Sequence, residues 1–348
     1  MRACVLHAAR DLRLEDRPEA ELGPDQVRVR LGAGGICGSD LHYYYDGRVG
    51  EFALREPLIL GHEVAGEVIE IGPAVARVRV GDRVAVNPSQ PCWRCPACQG
   101  GRTNLCRRMT FYGSAAVFPH VQGAFQEQLV CFESQCHMVP SSVPYAVAAL
   151  AEPLAVCLHA VRRAGALLGR HVLITGCGPI GALTCIGARA AGAARITVTD
   201  IAPEPLAVAR ALGADETIDA LADPGRIAAC QADKGRFDVA FEASGNPQAL
   251  ITCLDCVRPG GRIVQLGMLP GGELGLPLTR LTPKEIDLVG TFRFHDEFGI
   301  AVEALTSGRL DVAPLLTGSF SAEDRDAAFA AALDRRRHMK VQLVFDAA

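Results

Sequence analysis

The chain contains no uninterrupted apolar run approaching the roughly 20 residues that a membrane-spanning helix needs. Its longest apolar region, VPYAVAALAEPLAVCLHAV, is broken by Pro144, Glu152 and Pro153. It also lacks an apolar core behind its first residues. MRACVLHAARDLRLEDRPEA carries charge from Arg2 onward, which argues against a secretory leader. It lacks a basic excess: 35 Lys and Arg stand against 39 Asp and Glu, a net charge of −4, so no nucleic-acid surface is implied. Aromatic residues are only 5%, with a single tryptophan, and internal repeats and low-complexity segments are absent. These absences lead to the expectation of a cytoplasmic globular protein that binds neither membrane nor nucleic acid.

What is present fits that expectation. A length of 348 residues suggests about two domains, and 49% hydrophobic against 21% charged content allows a large core. There are 14 cysteines. Four of them, Cys92, Cys95, Cys98 and Cys106, fall in CWRCPACQGGRTNLC with the spacing C-x2-C-x2-C-x7-C. Four thiolates at these gaps can wrap one zinc tetrahedrally and leave no position for water or substrate, which reads as a structural metal pinning a loop at about 90–108. Loose thiols or disulfides are the alternative. Most of the others, such as Cys4, Cys131, Cys157 and Cys230, are scattered singly and read as small core residues in a reducing compartment.

The first 150 residues are rich in Gly, Pro and short alternating runs, such as QVRVRLGAGGICG, EVAGEVIEIG and GDRVAVNP, which predict short strands and tight turns. From His171 the pattern becomes strand then helix: HVLIT, PIGALTCIGARAAG, RITVTD, PEPLAVARALG, FDVAFEAS, NPQALITCLDCV, GRIVQLG, with GTFRF near 290 as a last strand. That alternation predicts an α/β doubly wound parallel sheet. The helical stretches DEFGIAVEALTSG and SAEDRDAAFAAALDRR and the strand VQLVF are too few for a third domain and are expected to pack on the N-terminal half. The parallel sheet, 152–289, would then be inserted in a discontinuous β-rich domain, 1–151 plus 290–348.

GCGPIG supplies Gly176, Gly178 and Gly181 with Pro179 and Ile180 between, after an apolar strand and at the start of a helix. In that context the glycines make a tight turn, admit a pyrophosphate and allow close helix packing. Asp200 ends the next strand, 19 residues after Gly181, where an acid can accept from ribose hydroxyls and repel a 2′-phosphate; no Arg follows it directly. NAD is therefore expected over NADP. The bland alternative is a glycine turn beside a surface Asp.

A second set of ligand-type residues is dispersed: Cys37 in GGICGSDLHYY, His62 and Glu63 in LGHEVAG, and Glu152 in LAEPLAV. Three such ligands with one open position make a catalytic zinc site. Taken singly, each is more often structural.

GICGSDLH, LGHE, the four-cysteine lobe, AEPL and GCGPIG occur in an order that resembles the zinc-dependent medium-chain alcohol/polyol dehydrogenases over essentially the whole chain. Glu152 in AEPL is similar to the sorbitol dehydrogenase branch. RRMTFYGSAAVFPHVQGAF and GTFRFHDEF are most similar to its L-idonate 5-dehydrogenase group. The resemblance implies a GroES-like catalytic domain with a Rossmann domain, two zinc ions per chain, NAD, and a homotetramer or homodimer. It implies oxidation of a secondary alcohol of a sugar acid, L-idonate to 5-keto-D-gluconate. A polyol dehydrogenase for sorbitol or xylitol is the alternative.

Carried over to these positions, Cys37, His62, Glu63 and Glu152 are at the catalytic zinc. Tyr43, Tyr112, Glu152, Arg293 and Phe294 face substrate. Asp200, the Leu266–Gly267–Met268 turn, Phe292 and Arg293 contact cofactor, with the glycine loop. Ser39 and His42 form a proton path, unless Glu152 and a zinc-bound water do so. Pro205 departs from the sorbitol enzymes, which carry an Arg there. A substrate carboxylate would need a cation: Arg293 first, Arg48 and His120 after it, with a pyrophosphate clamp as the other role for Arg293. Two readings of another class remain. One is a nucleotide-binding sensor without catalysis. The other treats the cysteine lobe as a nucleic-acid module, on the strength of Arg102, Arg107 and Arg108, with Trp93 as its sole tryptophan.

Overall fold

Strand Gln26–Gly35 alternates apolar and polar residues for most of its length and becomes the spine of a seven-stranded sheet in a computed structural model that describes residues 1–345. On one side it pairs antiparallel with Glu63–Ile71. On the other it pairs with Gln128–Phe132 along its first half and with Lys340–Val344 along its second, Gln342 lying opposite Gly35. The end of the chain therefore returns to the strand that leads into Cys37. Strand Glu63–Ile71 continues through Arg83–Val86 to Cys136–Met138, and Leu316–Ser321 adds in parallel to Lys340–Val344.

The second sheet is wholly parallel, with Glu216–Asp219, Arg195–Asp200, His171–Thr175, Phe237–Glu242, Val257–Gln265 and Asp287–Gly290 in spatial order. In chain order this is 3-2-1-4-5-6, the doubly wound arrangement whose direction reverses beside the first strand and opens a crevice there. The fold class expected from the sequence is the one observed. The third strand, ETID, was not singled out in the sequence; it is short and only partly apolar.

Helix Ala151–Ala164 joins the two sheets. Glu152 and Pro153 occupy its first turn, where a proline loses no helical hydrogen bond and a carboxylate faces the positive end of the dipole. Arg162 and Arg163 occupy its last turn and Gly165, at φ 85°, ends it. The stretch Tyr145–Ala164 is long and apolar enough to cross a membrane by composition, yet 67% of it is buried in the molecule. It packs on helices Pro179–Ala190 and Glu297–Thr306 within a core that includes Val172, Ile174, Val198 and Phe241. A second core fills the N-terminal sheet around Leu31, Leu60, Phe125 and Phe329. Cys4, Cys131, Cys157 and Cys230 are buried free thiols.

Two expectations are corrected. Helix Glu297–Thr306 does not pack on the N-terminal sheet alone; Phe298, Ala301 and Leu305 join the core of the parallel sheet. Helix Arg325–Leu333 and strand Lys340–Val344 belong with the N-terminal half, while strand Leu316–Ser321 packs Leu316 against the core of the parallel sheet. And GTFRF is not a strand through Phe294. The strand ends at Gly290, because Arg293 adopts φ 51°, a left-handed conformation that an extended run cannot contain.

Candidate active site

Cys37 caps helix Gly38–Asp46, and the third helical residue, Asp40, returns its carboxylate to the Cys37 backbone N–H, Oδ2 accepting at 2.9 Å. This reciprocal cap explains why the sequence turns here. Asp40 is fully buried, and its Oδ1 accepts from the Gly61 N–H at 3.0 Å. One carboxylate thus holds together the segments carrying Cys37 and His62. Gly61 has φ 92°, and a Cβ there would lie 2.2 Å from the Phe125 ring, so no other residue can precede His62 without displacing that ring.

The donor atoms of Cys37, His62 and Glu63 lie within 4.8 Å of one another. His62 Nδ1 is buried without a hydrogen-bond partner, 3.8 Å from Asp40 Oδ1. With Nδ1 turned toward Asp40, Nε2 is the nitrogen left for a metal, and an imidazole, a thiol and a carboxylate converging in this way are a donor set that fits zinc, with Asp40 as the outer carboxylate that orients the ring. Glu152 is buried beside this group but outside the set of converging donor atoms. Burial pushes its carboxyl up to about 8, against the pull of His62, with Glu63 and Cys37 adding to the rise. Burial likewise pushes the Cys37 thiol up to about 11, helped by Glu63 and opposed by Lys340.

Glu63 has a partner that the sequence did not reveal. Lys340, itself buried, donates from Nζ to Glu63 Oε1 at 2.6 Å. Lys340 and Asp40 are the two inner residues that sequence reasoning missed. Asp40 carried one signal, an acid three residues after a helix cap; Lys340 carried none.

In the cysteine lobe the Sγ atoms of Cys95 and Cys98 are 3.5 Å apart and those of Cys95 and Cys106 are 3.9 Å apart, with Cys92 completing the group. These distances bracket the edge of about 3.8 Å expected for a tetrahedron with zinc–sulfur bonds of about 2.3 Å. Backbone N–H groups of Cys98 and Arg107 lower the Cys95 thiol to about 6, whereas burial raises Cys98 to about 12. The four residues fit a closed zinc site.

A cavity of about 170 Å³ lies against the cysteine lobe, walled by Phe52, Cys106, Arg107, Phe111, Phe292 and Arg293. The Phe111 ring joins cavity to ligands, its centroid 5.5 Å from that of His62. The Arg293 guanidinium lies 4.0 Å over Phe111 and 4.9 Å from Phe292. Among the described residues its side chain has no hydrogen-bond or ion-pair partner. Burial lowers it to about 10, with Glu152 and then Tyr43 raising it against that.

The structure divides the remaining substrate residues. Tyr43 is buried behind the cavity wall and accepts from the Ala115 N–H at 2.9 Å. Tyr112 points away, its hydroxyl within 3.1 Å of both Gln90 and Gln135. Adjacent residues of an extended segment face opposite ways, so Phe111 takes the place expected of Tyr112. Phe294 is 1% exposed and stacks on Phe298 in the core rather than lining the cavity. Both His120 nitrogens are engaged by backbone, at 2.9 Å from the Arg55 N–H and from the Val117 carbonyl. Arg48 donates to the Gly50 carbonyl. Ser39 is half-buried in the first turn of the helix that Cys37 caps. His42 is exposed one helical turn on, 3.1 Å from Asp46.

At the crevice of the parallel sheet, Gly176 has φ 86°, and a Cβ on Gly181 would lie 1.9 Å from the Gly176 carbonyl oxygen. Among the described residues, the space above Gly178 is bounded only by the Arg335 guanidinium, 3.5 Å from where a Cβ would sit. Pro179 and Ile180 begin the helix whose N-terminus faces that space. Asp200 accepts from the Cys177, Ile201 and Ala202 N–H groups at 2.6, 2.7 and 3.0 Å. These bonds anchor the carboxylate at the strand end and leave one lone pair, on Oδ2, for a ribose hydroxyl. Buried Glu242 ties the neighbouring loops together, Oε1 accepting from Ser244 at 2.8 Å and its carbonyl accepting from Leu266 and Gly267 at 2.8 Å. Met268 is exposed at the rim. An open cradle with an anchored acid fits a dinucleotide.

Comparison with known proteins agrees with this geometry. Residues 23–141 match the alcohol dehydrogenase GroES-like domain, and residues 179–307 match the zinc-binding dehydrogenase family. The chain is 43% identical over 318 residues to the L-idonate 5-dehydrogenase (NAD(P)(+)) of Escherichia coli strain K12, covering 91% of each chain. It is 38% identical over 350 residues to the sorbitol dehydrogenase of Bacillus subtilis strain 168, covering 99% of this chain and 97% of that one. The crystal structure of the E. coli L-idonate 5-dehydrogenase superposes with a TM-score of 0.95 at 40% identity, covering 99% of this chain and 98% of that one.

Proposed function

The chain belongs to the zinc-dependent medium-chain alcohol and polyol dehydrogenases, and from that premise we propose that it oxidises a secondary alcohol of a sugar acid, L-idonate to 5-keto-D-gluconate, with NAD. The observation that carries the choice of an acid is Arg293, a half-buried guanidinium that has no partner among the described residues and lies over Phe111, the ring next to His62, on the wall of a cavity whose other cation, Arg107, is exposed. An unpaired, partly buried cation is costly unless an anion meets it, and a carboxylate supplies a planar match.

Cys37 and His62, with Glu152 or Glu63, would hold the catalytic zinc in this reading, which would supply the Lewis acidity that lowers the alcohol's pKa, and the nicotinamide cofactor would supply the hydride acceptor. Lys340 balances the charge of Glu63 among the converging donors, and Glu152, buried beside them, is the carboxylate that has no ion pair among the described residues and serves the substrate hydroxyls. Ser39 takes the proton at the buried end of helix Gly38–Asp46, and His42 releases it at the exposed end. Phe111 and Phe52 exclude water from the reacting carbon, and Tyr43 braces the wall behind them. Cys92, Cys95, Cys98 and Cys106 hold the structural zinc. The glycine loop, Asp200, Leu266–Met268 and Phe292 seat the cofactor, and Asp200 favours NAD over NADP. The catalytic unit is 1–151 plus 290–348 and the nucleotide unit 152–289. The protein acts in the cytoplasm as a homodimer or homotetramer, joined through the edge strand Asp287–Gly290 and nearby helices.

The test is NADH formation on L-idonate, D-gluconate, sorbitol and xylitol at equal concentration, with a chelator control. Preference for L-idonate, abolished by the chelator, supports the reading. Preference for sorbitol or xylitol overturns the substrate and keeps the chemistry.

A further inference from the structure

Asn104 belongs to the cysteine lobe, two residues before Cys106, yet its side chain works outside it. It is buried, and its Nδ2 donates to the Phe292 carbonyl at 2.8 Å and lies 3.4 Å from His159 Nε2. His159 Nδ1 lies 3.0 Å from Glu297 Oε1, which also accepts from Arg162 Nη1 at 2.8 Å. Glu297 Oε2 accepts from the His295 N–H at 2.9 Å.

Only one proton arrangement satisfies this chain. Glu297, ionised, accepts and cannot donate, so His159 carries its proton on Nδ1. Nε2 is then an acceptor, and the Asn104 amide must turn its NH2 both to that nitrogen and to the Phe292 carbonyl. His159, His295 and Glu297 come within metal-ligating distance of one another. However, the Arg162 guanidinium already sits on Glu297, and its charge excludes a cation there.

The next residue is Arg293. Its φ of 51° is a conformation that a non-glycine residue keeps only where its surroundings force it. The Asn104 bond fixes the peptide immediately before that turn, and the turn aims the guanidinium across Phe111 into the cavity.

We propose that Asn104, oriented by His159, is a positioning residue for Arg293, through which the structural-metal lobe sets the pose of the cavity's half-buried cation. The closed metal site then governs recognition of the anionic group of the ligand. This inference rests on the reading that Arg293 meets an anion, and it is independent of whether that anion is the sugar acid or the cofactor.

The test is a double-mutant cycle of Asn104→Asp with Arg293→Ala, read in zinc per chain, NADH affinity by fluorescence, and KM and kcat on L-idonate and sorbitol. Asp matches Asn in shape but sets an acceptor against the Phe292 carbonyl. The expected result is two zincs retained, KM for L-idonate raised about tenfold with kcat changed less than about threefold, and no further loss when Asn104→Asp is added to Arg293→Ala. Additive losses, or an Asn104→Asp protein with unchanged KM and NADH affinity, would overturn the proposal. If Asn104→Asp loses metal, His159→Phe, which lies outside the lobe, carries the same cycle with the same criteria. If Arg293→Ala leaves KM for L-idonate unchanged, the sugar-acid reading fails by itself. The NADH-affinity cycle then decides whether Asn104 acts through Arg293.

Discussion

The Lys340 ammonium donates to the Glu63 carboxylate at 2.6 Å from 277 residues away in the chain, and both side chains are buried. Burial alone would lower the lysine; Glu63 first and Cys37 next outweigh it and hold Lys340 above its ordinary value. The last strand of the protein is thereby fastened to the residue that follows His62.

Removing the lysine strands a buried charge. Lys340→Met is expected to cost about 3–5 kcal/mol in urea denaturation of the zinc-loaded protein. Adding Glu63→Gln to it should restore much of that loss. An unchanged midpoint for Lys340→Met would show that the pair contributes nothing.

Such partners explain what the sequence could and could not reveal. The cysteine lobe was legible because its four ligands fall within 15 residues, and the glycine loop because strand, turn and helix are contiguous. Cys37, His62 and Glu152 come from separate elements, so only the resemblance joined them. Lys340, Asn104, His159 and Glu242 were invisible, since their roles depend on segments brought together by folding. Tyr112 was misplaced by a single position, Phe111 facing the cavity instead, because adjacent residues of an extended segment face opposite ways. Arg293 lines the cavity as expected, and the turn there sends Phe294 into the core.

Metal content separates the two sites. The intact protein should hold two zincs per chain. Cys98→Ser should hold one, through loss of the closed lobe site, and Cys37→Ser should hold one while remaining folded and inactive. Metal analysis after gel filtration reads these counts, and a second zinc persisting in Cys98→Ser would contradict the lobe assignment.

In the proposed reading, Asp200 sets the preference for NAD over NADP. Asp200→Ser should raise the NADP-to-NAD ratio of kcat/KM by at least about tenfold, since a like-charge contact costs several kcal/mol. An unchanged ratio would place the discrimination elsewhere.

Glu297 sets an acid limb. Its carboxyl is buried, which alone would raise it, but bonds from His159, the His295 backbone and Arg162 hold it down to about 2, against an ordinary value of 4.5. A depressed folded-state pKa stabilises above the unfolded value and loses that contribution as pH falls through the folded one. The window is therefore from about 4.5 down to about 2, and the contribution is about 3 kcal/mol. Glu297→Gln should be less stable at neutral pH and show a flatter decline across that window. Parallel acid-unfolding curves for the two proteins would contradict this.

The most direct measurement compares kcat/KM on L-idonate and on sorbitol for the intact enzyme and for Arg293→Ala. If Arg293 anchors the acid, the intact enzyme prefers L-idonate, and the variant loses about 100-fold on L-idonate but less than about tenfold on sorbitol, as removal of a charge-assisted pair requires. Equal losses on both substrates would contradict the account and make Arg293 a clamp on the cofactor.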